Sequence, residues 1–420
     1  MLLGQDIYVR YLFVHQNFPG QFLHFVRHLS AQGEHEIVFI SEANQGDIPG
    51  VRRVIYRTER EPAEVTHPYL HEFERGLLRA EAVARSARTL KSLGYVPDII
   101  IGHHGWGELL NLVDVFPETP ILGYLEFFYH SDRNDVGFDP EFPSSGDLPS
   151  LVRIKNSINL QALNLPNSVG QTPTVFQKQT YPTWAQSQLA LLHEGVNLDA
   201  CKRDGRLRNR NLTIANVTIG AKEPMVTYVA RNLEPYRGFH IFMRALPQIQ
   251  AECPDARIIL IGGDGVSYGN PPARHTNWRE YMLAELSGQI NLDKVHFVGH
   301  LPHDDFRTLI KRSDAHVYLT YPFVASWSLR EAMAASCPIV ASDTAPVREF
   351  IEDGVTGCLV PFLEPQRVSG AVVDLLQDRS AARRLGAAAR RFAEEELSME
   401  RYIARYDELV RQILAGKRSF

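Results

Sequence analysis

Residues 225–263 read MVTYVARNLEPYRGFHIFMRALPQIQAECPDARIILIGG, and their alternation decides the fold. Met225–Arg231 is an apolar run rich in β-branched residues, the pattern of a buried strand. Pro235 and Gly238 then bend the chain. From Gly238 to Glu252 the apolar residues recur at helical spacing, and Arg257–Gly263 returns to a continuous apolar run. Strand, loop, helix and strand in this order form a unit whose two strands lie parallel.

The pattern continues in both directions. Downstream, Val295–Val298, Ala315–Tyr318, Ile339–Ala341 and Gly357–Val360 read as strands, with helices over Phe306–Arg312 and Ser328–Ala335. Upstream, Tyr8–His15, Glu36–Ser41, Val51–Tyr56, Pro97–His104 and Ile121–Glu126 read as strands, with a helical stretch ending near Ala31 and another over Arg75–Leu93. The expected fold is α/β: two Rossmann-like, doubly wound domains facing an interdomain cleft. The expected boundaries are 1–205 for the first domain, 206–223 for a linker inside the polar stretch Gly195–Glu223, and 224–395 for the second domain. The charged region Ser380–Gly416 reads as two helices, and 396–420 is expected to cross back to the first domain.

The 420 residues are 44% hydrophobic and 22% charged, a globular balance that suits two domains. A formal net charge of -5 argues against a bulk polyanion binder, so no nucleic-acid partner is expected. No apolar run reaches the roughly 18 residues of a membrane span, and no signal peptide is recognised, so the expected location is cytoplasmic. Cys201, Cys253, Cys337 and Cys358 are widely spaced and lack metal-ligand patterning; they are expected to be reduced packing residues, with no metal required. The sequons at Asn211 and Asn216 carry little meaning in that location. Arg75, Arg79, Arg85, Arg88 and Lys91 lie on one helical stretch against Glu81, which reads either as a solvated face or as peripheral docking at the inner face of the membrane.

Ligands of open parallel sheets bind beyond the carboxyl ends of the strands, so the loops there carry the chemistry. Tyr321–Ala335 is the most informative of them. Its strand ends near Leu319, and the helix start around Ser326, Trp327, Ser328 and Leu329 offers N–H groups to an anion. Glu331 is expected in the first turn, where the dipole favours a carboxylate that accepts hydrogen bonds from a vicinal diol. Arg231 and Arg237 flank the strand-to-helix loop of the opening stretch, and guanidinium groups grip phosphate bidentately. Gly263 within Gly262–Gly265 admits close approach of a ligand, and Val298 and His300 flank Gly299, where main-chain groups face a base edge. In the first half, Gly20 and Gln21 lie in another strand-to-helix loop with N–H groups for a phosphate, and His103 and His104 follow a strand end. Surface arginines, a plain turn and structural histidines are the simpler readings of these residues.

Taken together, Arg231–Gly238, Gly262–Gly265, Phe297–Leu301 and Leu319–Asp343 resemble the donor-binding domain of the retaining glycosyltransferases of family 4, and His193–Asn197 resembles the segment that closes the first domain of that family. The resemblance is densest over 225–361 and implies the GT-B fold. It implies a nucleotide-sugar donor, a UDP- or GDP-sugar, with Arg231 and Arg237 on its diphosphate, Arg237 standing where the family usually has Lys. Glu331 matches the second Glu of the family's paired-Glu motif and would hold the ribose; the first falls at Phe323. Glu126, in Gly123–Phe127, stands where family members commonly carry a His, as an anion for the anomeric centre or the acceptor hydroxyl.

The function implied is transfer of a sugar, with retention, to a carbohydrate, lipid-linked or other hydroxyl acceptor in polysaccharide, glycolipid or other glycoconjugate synthesis. Glu126, Arg231 and Arg237 are the expected catalytic residues, with His103 and His104 on the acceptor side. Two other readings stand beside it: a donor-binding partner of another transferase whose own chemistry is impaired at Phe323, and a nucleotide-sugar epimerase on the same fold.

Overall fold

The structure, a computed structural model, describes residues 8–143 and 148–420. The chain divides into two units, one comprising the residues up to His193 together with Tyr402–Phe420, the other Glu194–Arg401.

In the first unit the strands β1 (Arg10–Val14), β2 (Glu36–Ser41), β3 (Val51–Ile55), β4 (Ile99–His103), β5 (Ile121–Tyr124), β6 (Ser168–Thr172) and β7 (Leu189–Leu191) form a seven-stranded sheet in the order β3-β2-β1-β4-β5-β6-β7. Every pairing is parallel. Strands covered on both faces need apolar side chains at successive positions, and Ile99–Ile100–Ile101 in β4 are all buried. Leu12, Val38, Ile100 and Ile121 meet Val83, Ala87 and Leu90 of the helix His71–Ser92 in one core. Full burial of such an aliphatic side chain contributes roughly 1.5–3 kcal/mol. The strands β6 and β7 escape the sequence reading, because Ser168–Thr172 (SVGQT) is short and mostly polar despite being wholly buried.

In the second unit, β8 (Leu212–Ile214) and β9 (Val217–Ile219) form an antiparallel hairpin, and β10 (Met225–Asn232), β11 (Arg257–Gly263), β12 (Val295–Gly299), β13 (Ala315–Tyr318), β14 (Ile339–Ser342) and β15 (Cys358–Val360) form a parallel sheet in the order β12-β11-β10-β13-β14-β15. Residues 206–223, expected as a linker, are folded into this unit. Ala215 and Asn216 at the hairpin tip have φ of 49° and 63°, the left-handed pair of a tight hairpin turn, and Ile214 and Ile219 enter the core. The polar composition of the segment describes only its exposed face.

The two helices expected over Ser380–Gly416 are Arg379–Glu396 and Met399–Leu414. The residues of the last helix from Tyr402 on pack within the first unit. Tyr406 stacks on Phe25 at 3.9 Å between ring centres and its hydroxyl accepts from Gln171 Nε2 at 3.0 Å, while Asp407 lies 3.2 Å from His28. Among the described residues no helix is long and apolar enough to cross a membrane.

In each parallel sheet the strand order reverses beside the sheet's first strand, between β1 and β4 in one and between β10 and β13 in the other. Such reversal points open a crevice at the carboxyl edge, because the connections on either side leave toward opposite faces. Both switch points carry residues singled out in the sequence.

Candidate active-site loops at the two switch points

In the second unit, Arg231 is exposed at the end of β10 and has no ion-pair partner among the described residues. Arg237 sits differently, on the short turn Pro235–Arg237 that Gly238 closes with a φ of 72°. A β-carbon at Gly238 would meet Leu319 at 2.4 Å, so glycine is required both for the turn and for its approach to the end of β13. Arg237 is only 7% exposed, and its Nη1 donates to Thr320 Oγ1 at 2.8 Å and to the carbonyl of Val324 at 2.9 Å. Its guanidinium lies over the rings of Tyr268 at 5.0 Å and Phe323 at 5.9 Å. The two arginines expected to act alike therefore differ: one is free in solvent, the other ties β10 to the loop after β13.

Phe323 is buried among Tyr236 and Tyr268, at 5.3 and 5.2 Å between ring centres. Tyr268 is held by Glu234, fully buried, whose carboxylate accepts from the backbone N–H groups of Ser267, Tyr268 and Gly269 at 3.0–3.1 Å. Tyr236, Tyr268 and Glu234 have no periodic signature in the sequence; only the fold gathers them around Arg237.

Gly263 and His300 meet, since a β-carbon on Gly263 would lie 2.4 Å from His300 Nε2. Ile261 pairs with Gly299, so Val298, Gly299 and His300 border the Gly-rich turn. The bare backbone expected at Gly263 thus accommodates an imidazole of the protein itself.

The helix after β13 starts at Trp327, so Glu331 is its fifth residue and lies beyond the first turn, contrary to expectation. Its carboxylate accepts from His303 Nε2 at 2.7 Å and Arg307 Nε at 3.4 Å. At the helix start, Ser326 N donates to Tyr318 Oη at 2.7 Å, and Leu329 N donates to Ser326 O at 3.3 Å, so Leu329, expected to be unpaired, is satisfied locally. Ser326 and Ser328 share a hydroxyl contact of 2.6 Å. The indole N–H of Trp327 donates to Glu194 Oε2 at 2.8 Å, which also accepts from buried Arg330 at 3.1 Å. Glu194 thereby anchors the helix start, a role its local sequence does not reveal.

In the first unit, Gly20 has a φ of 55° and packs on His15, whose Nδ1 would lie 2.7 Å from a β-carbon there. Gln21 follows in the same short turn. The rings of His15 and His103 lie 5.7 Å apart, edge to face. His103 Nδ1 accepts from the N–H of Gly105 at 3.1 Å, which places a ring proton on Nε2, 3.6 Å from Glu126 Oε2. Glu126 is 36% exposed through its side chain, so a carboxylate backed by an imidazole faces outward. Burial, with the neighbouring His103, pushes the His15 imidazole down to about 3. His104, expected on the acceptor side, is 1% exposed; its ring fills the space over Gly123, where a β-carbon would come within 1.9 Å. Burial lowers it to about 3, and it is a neutral packing group withdrawn from any ligand. His15 was legible only as the end of a strand.

The basic helical stretch is engaged within its own unit: Arg75 pairs with Glu61 at 3.6 Å, Arg79 with Glu42 at 3.0 Å and Arg85 with Glu59 at 3.4 Å, and Lys91 donates to the carbonyl of Val115 at 2.6 Å. No two of the cysteines are bonded.

Two domain families match in tandem, the family 4 group of glycosyl transferases over residues 33–201 and the glycosyl transferases group 1 over residues 209–392. The chain belongs to the glycosyltransferases. Spore coat protein SA of Bacillus subtilis is 28% identical over 249 residues, which are 57% of this chain and 62% of that protein. The chain thus spans less than two thirds of this relative's length. The sucrose-phosphate synthase of Thermosynechococcus elongatus superposes with a TM-score of 0.70 at 20% identity, over 97% of this chain and 100% of that one. HepE of Anabaena, solved in complex with UDP-glucose, superposes with a TM-score of 0.65 at 16% identity, over 96% of this chain and 100% of that one. These likenesses identify the GT-B fold of the two parallel-sheet units.

Proposed function

We propose that the protein transfers a glycosyl group from a nucleoside diphosphate sugar to an acceptor hydroxyl with retention at the anomeric carbon. The observation that carries this reading is the unpartnered guanidinium of Arg231 at a parallel-sheet switch point, beside a loop that starts a helix. Departure of the diphosphate concentrates negative charge on its oxygens, and preorganised donors stabilise that charge more in the transition state than in the bound donor. Arg231 supplies the free cation, and the N–H groups around Trp327 and Ser328 supply oriented dipoles. The uracil nucleotide in the HepE complex makes UDP-sugars the first donors to assay.

Arg237 takes a supporting role: committed to Thr320 and Val324, it holds the donor loop in shape and adds positive potential from within. Glu331 takes the ribose only by sharing its carboxylate with His303 and Arg307, which orient it. In the first unit Glu126, oriented by His103, is the carboxylate for oxocarbenium character or for the acceptor hydroxyl. The leaving phosphate assists removal of the acceptor proton in front-face attack. Phe323, buried among tyrosines, sets an apolar wall where the resemblance implies a carboxylate near the transferred sugar, and so biases which sugar is accepted.

Thermal stability measured with UDP, GDP and ADP and their sugars tests donor binding, since a ligand bound only by the folded state raises the melting temperature with concentration. A rise with UDP that Arg231→Ala abolishes is expected, followed by transfer of label to an acceptor with the anomeric configuration kept. Equal shifts in the wild type and in Arg231→Ala would sink the donor assignment.

A further inference from the structure

At the opposite edge of the second sheet lies a pocket of about 300 Å³ lined by Arg203, Arg208, Lys311, Arg312, Arg379 and Arg383. Three of these arginines bind Asp314, which immediately precedes β13 and accepts from the N–H of Met225 at the start of β10, 3.1 Å away. The pocket is therefore at the amino ends of the strands. Arg231 ends the same strand six residues on, about 20 Å away at the rise of a β-strand. Nothing in the donor chemistry uses this end of the sheet.

Three guanidinium groups converge on the fully buried carboxylate of Asp314: Arg208, Arg312 at 3.0 Å and Arg379 at 2.5 Å. Asp204 on the rim is already held by Arg206, and Asp378 caps the helix Arg379–Glu396 through the N–H groups of Ser380 and Ala381. Counting all three carboxylates against the six cations of the lining still leaves positive charge in excess by three. Two donors in this wall have no hydrogen-bond partner among the described residues, Arg312 Nε, on a side chain with no exposure, and Arg379 Nη1. Buried N–H groups left unpaired are costly, more so when charged, and like charges held this close repel. Arg203 is fixed in the wall by donating to the carbonyls of Ser336 and Ser313 at 2.9 and 3.1 Å, and Lys311 and Arg383 make no hydrogen bond or ion pair among the described residues.

We propose that this pocket binds a free small molecule carrying two or more phosphate charges, separate from the sugar donor. Such an anion supplies acceptors for the unpaired guanidinium N–H groups and removes the repulsion among the arginines. A pocket of this size admits a phosphorylated metabolite, and guanidinium groups in its wall suit bidentate phosphate recognition.

The probe is inorganic pyrophosphate, titrated calorimetrically into the full chain at fixed ionic strength with UDP saturating the donor site. One equivalent is expected to bind, and Lys311→Gln with Arg383→Gln is expected to weaken it by about tenfold or more, because charge-assisted bonds to phosphate are lost. Neither side chain is paired, so the double variant should keep the wild-type melting temperature; Arg383→Gln alone gives a milder second reading. Absence of binding, or equal affinity in wild type and variant, overturns the proposal. Co-sedimentation with phosphatidic acid vesicles that depends on Lys311 and Arg383, without pyrophosphate binding, would assign the pocket to a lipid headgroup and also overturn it. If UDP itself fails to bind, the comparison of wild type with the variant still decides the pocket.

Discussion

The two switch points share a topology and differ in charge. At the first, β1 and β4 end in His15 and His103, with the His15 imidazole held neutral by burial and the carboxylate of Glu126 reaching out. At the second, β10 and β13 end in arginines, a helix start and an aromatic cluster. Parallel strands and a reversal of order build a crevice in both; the side chains at the strand ends determine what it can hold. The cationic one is suited to a leaving diphosphate, the other to an uncharged sugar or hydroxyl.

Arg231→Ala attacks that contrast most directly. Turnover should fall about 100-fold or more, the size of a lost oxyanion donor, while the melting temperature stays put because the side chain is exposed and unpaired. Steady-state transfer assays alongside calorimetry check both halves. Next comes Glu234→Ala, which strips the charged acceptor from three partly buried backbone N–H groups and should destabilise the second unit by about 2 kcal/mol, seen in urea unfolding, with weaker UDP binding as Tyr268 loosens. Glu126→Gln should lower kcat by about tenfold and leave UDP binding unchanged, which separates the work of the first switch point from donor binding. A further contrast lies in pH. His15 and His104 are neutral in the folded protein down to about 3 but titrate near 6.5 when unfolded. The unfolded chain then binds more protons, so stability declines as pH falls from about 6.5 toward 3, by roughly 1 kcal/mol per pH unit for each group. Replacing His104 by Gln should flatten this slope in acid titrations of the folding free energy; an unchanged slope would mean that His104 is not held neutral.

Most of the scaffold could be read from residues alone where strands are long and apolar, as in Arg257–Gly263 and Pro97–His104, because burial on both faces demands an unbroken apolar run. The reading failed at Ser168–Thr172, where small polar residues are buried by their neighbours, and at Asn211–Ile219, where alternation in a short hairpin looks like a polar linker. The second switch point was legible through Arg231 and the helix start near Trp327. Glu194, Glu234, Tyr236 and Tyr268 were not, since each acts on residues far along the chain and no local spacing records such a contact.

What the amino-acid order determined by itself is the α/β alternation, the placing of Arg231, Glu126 and His103 at strand ends, and the chemical types available there. Periodicity is local, and a strand or a helix start is written in the few residues that form it. Which of two arginines stays free, which of two adjacent buried histidines approaches Glu126, and that six cations from three separate segments line one pocket were decided only by tertiary packing. Burial and partnership depend on what the rest of the chain brings alongside, and charge has its effect only once its surroundings are set.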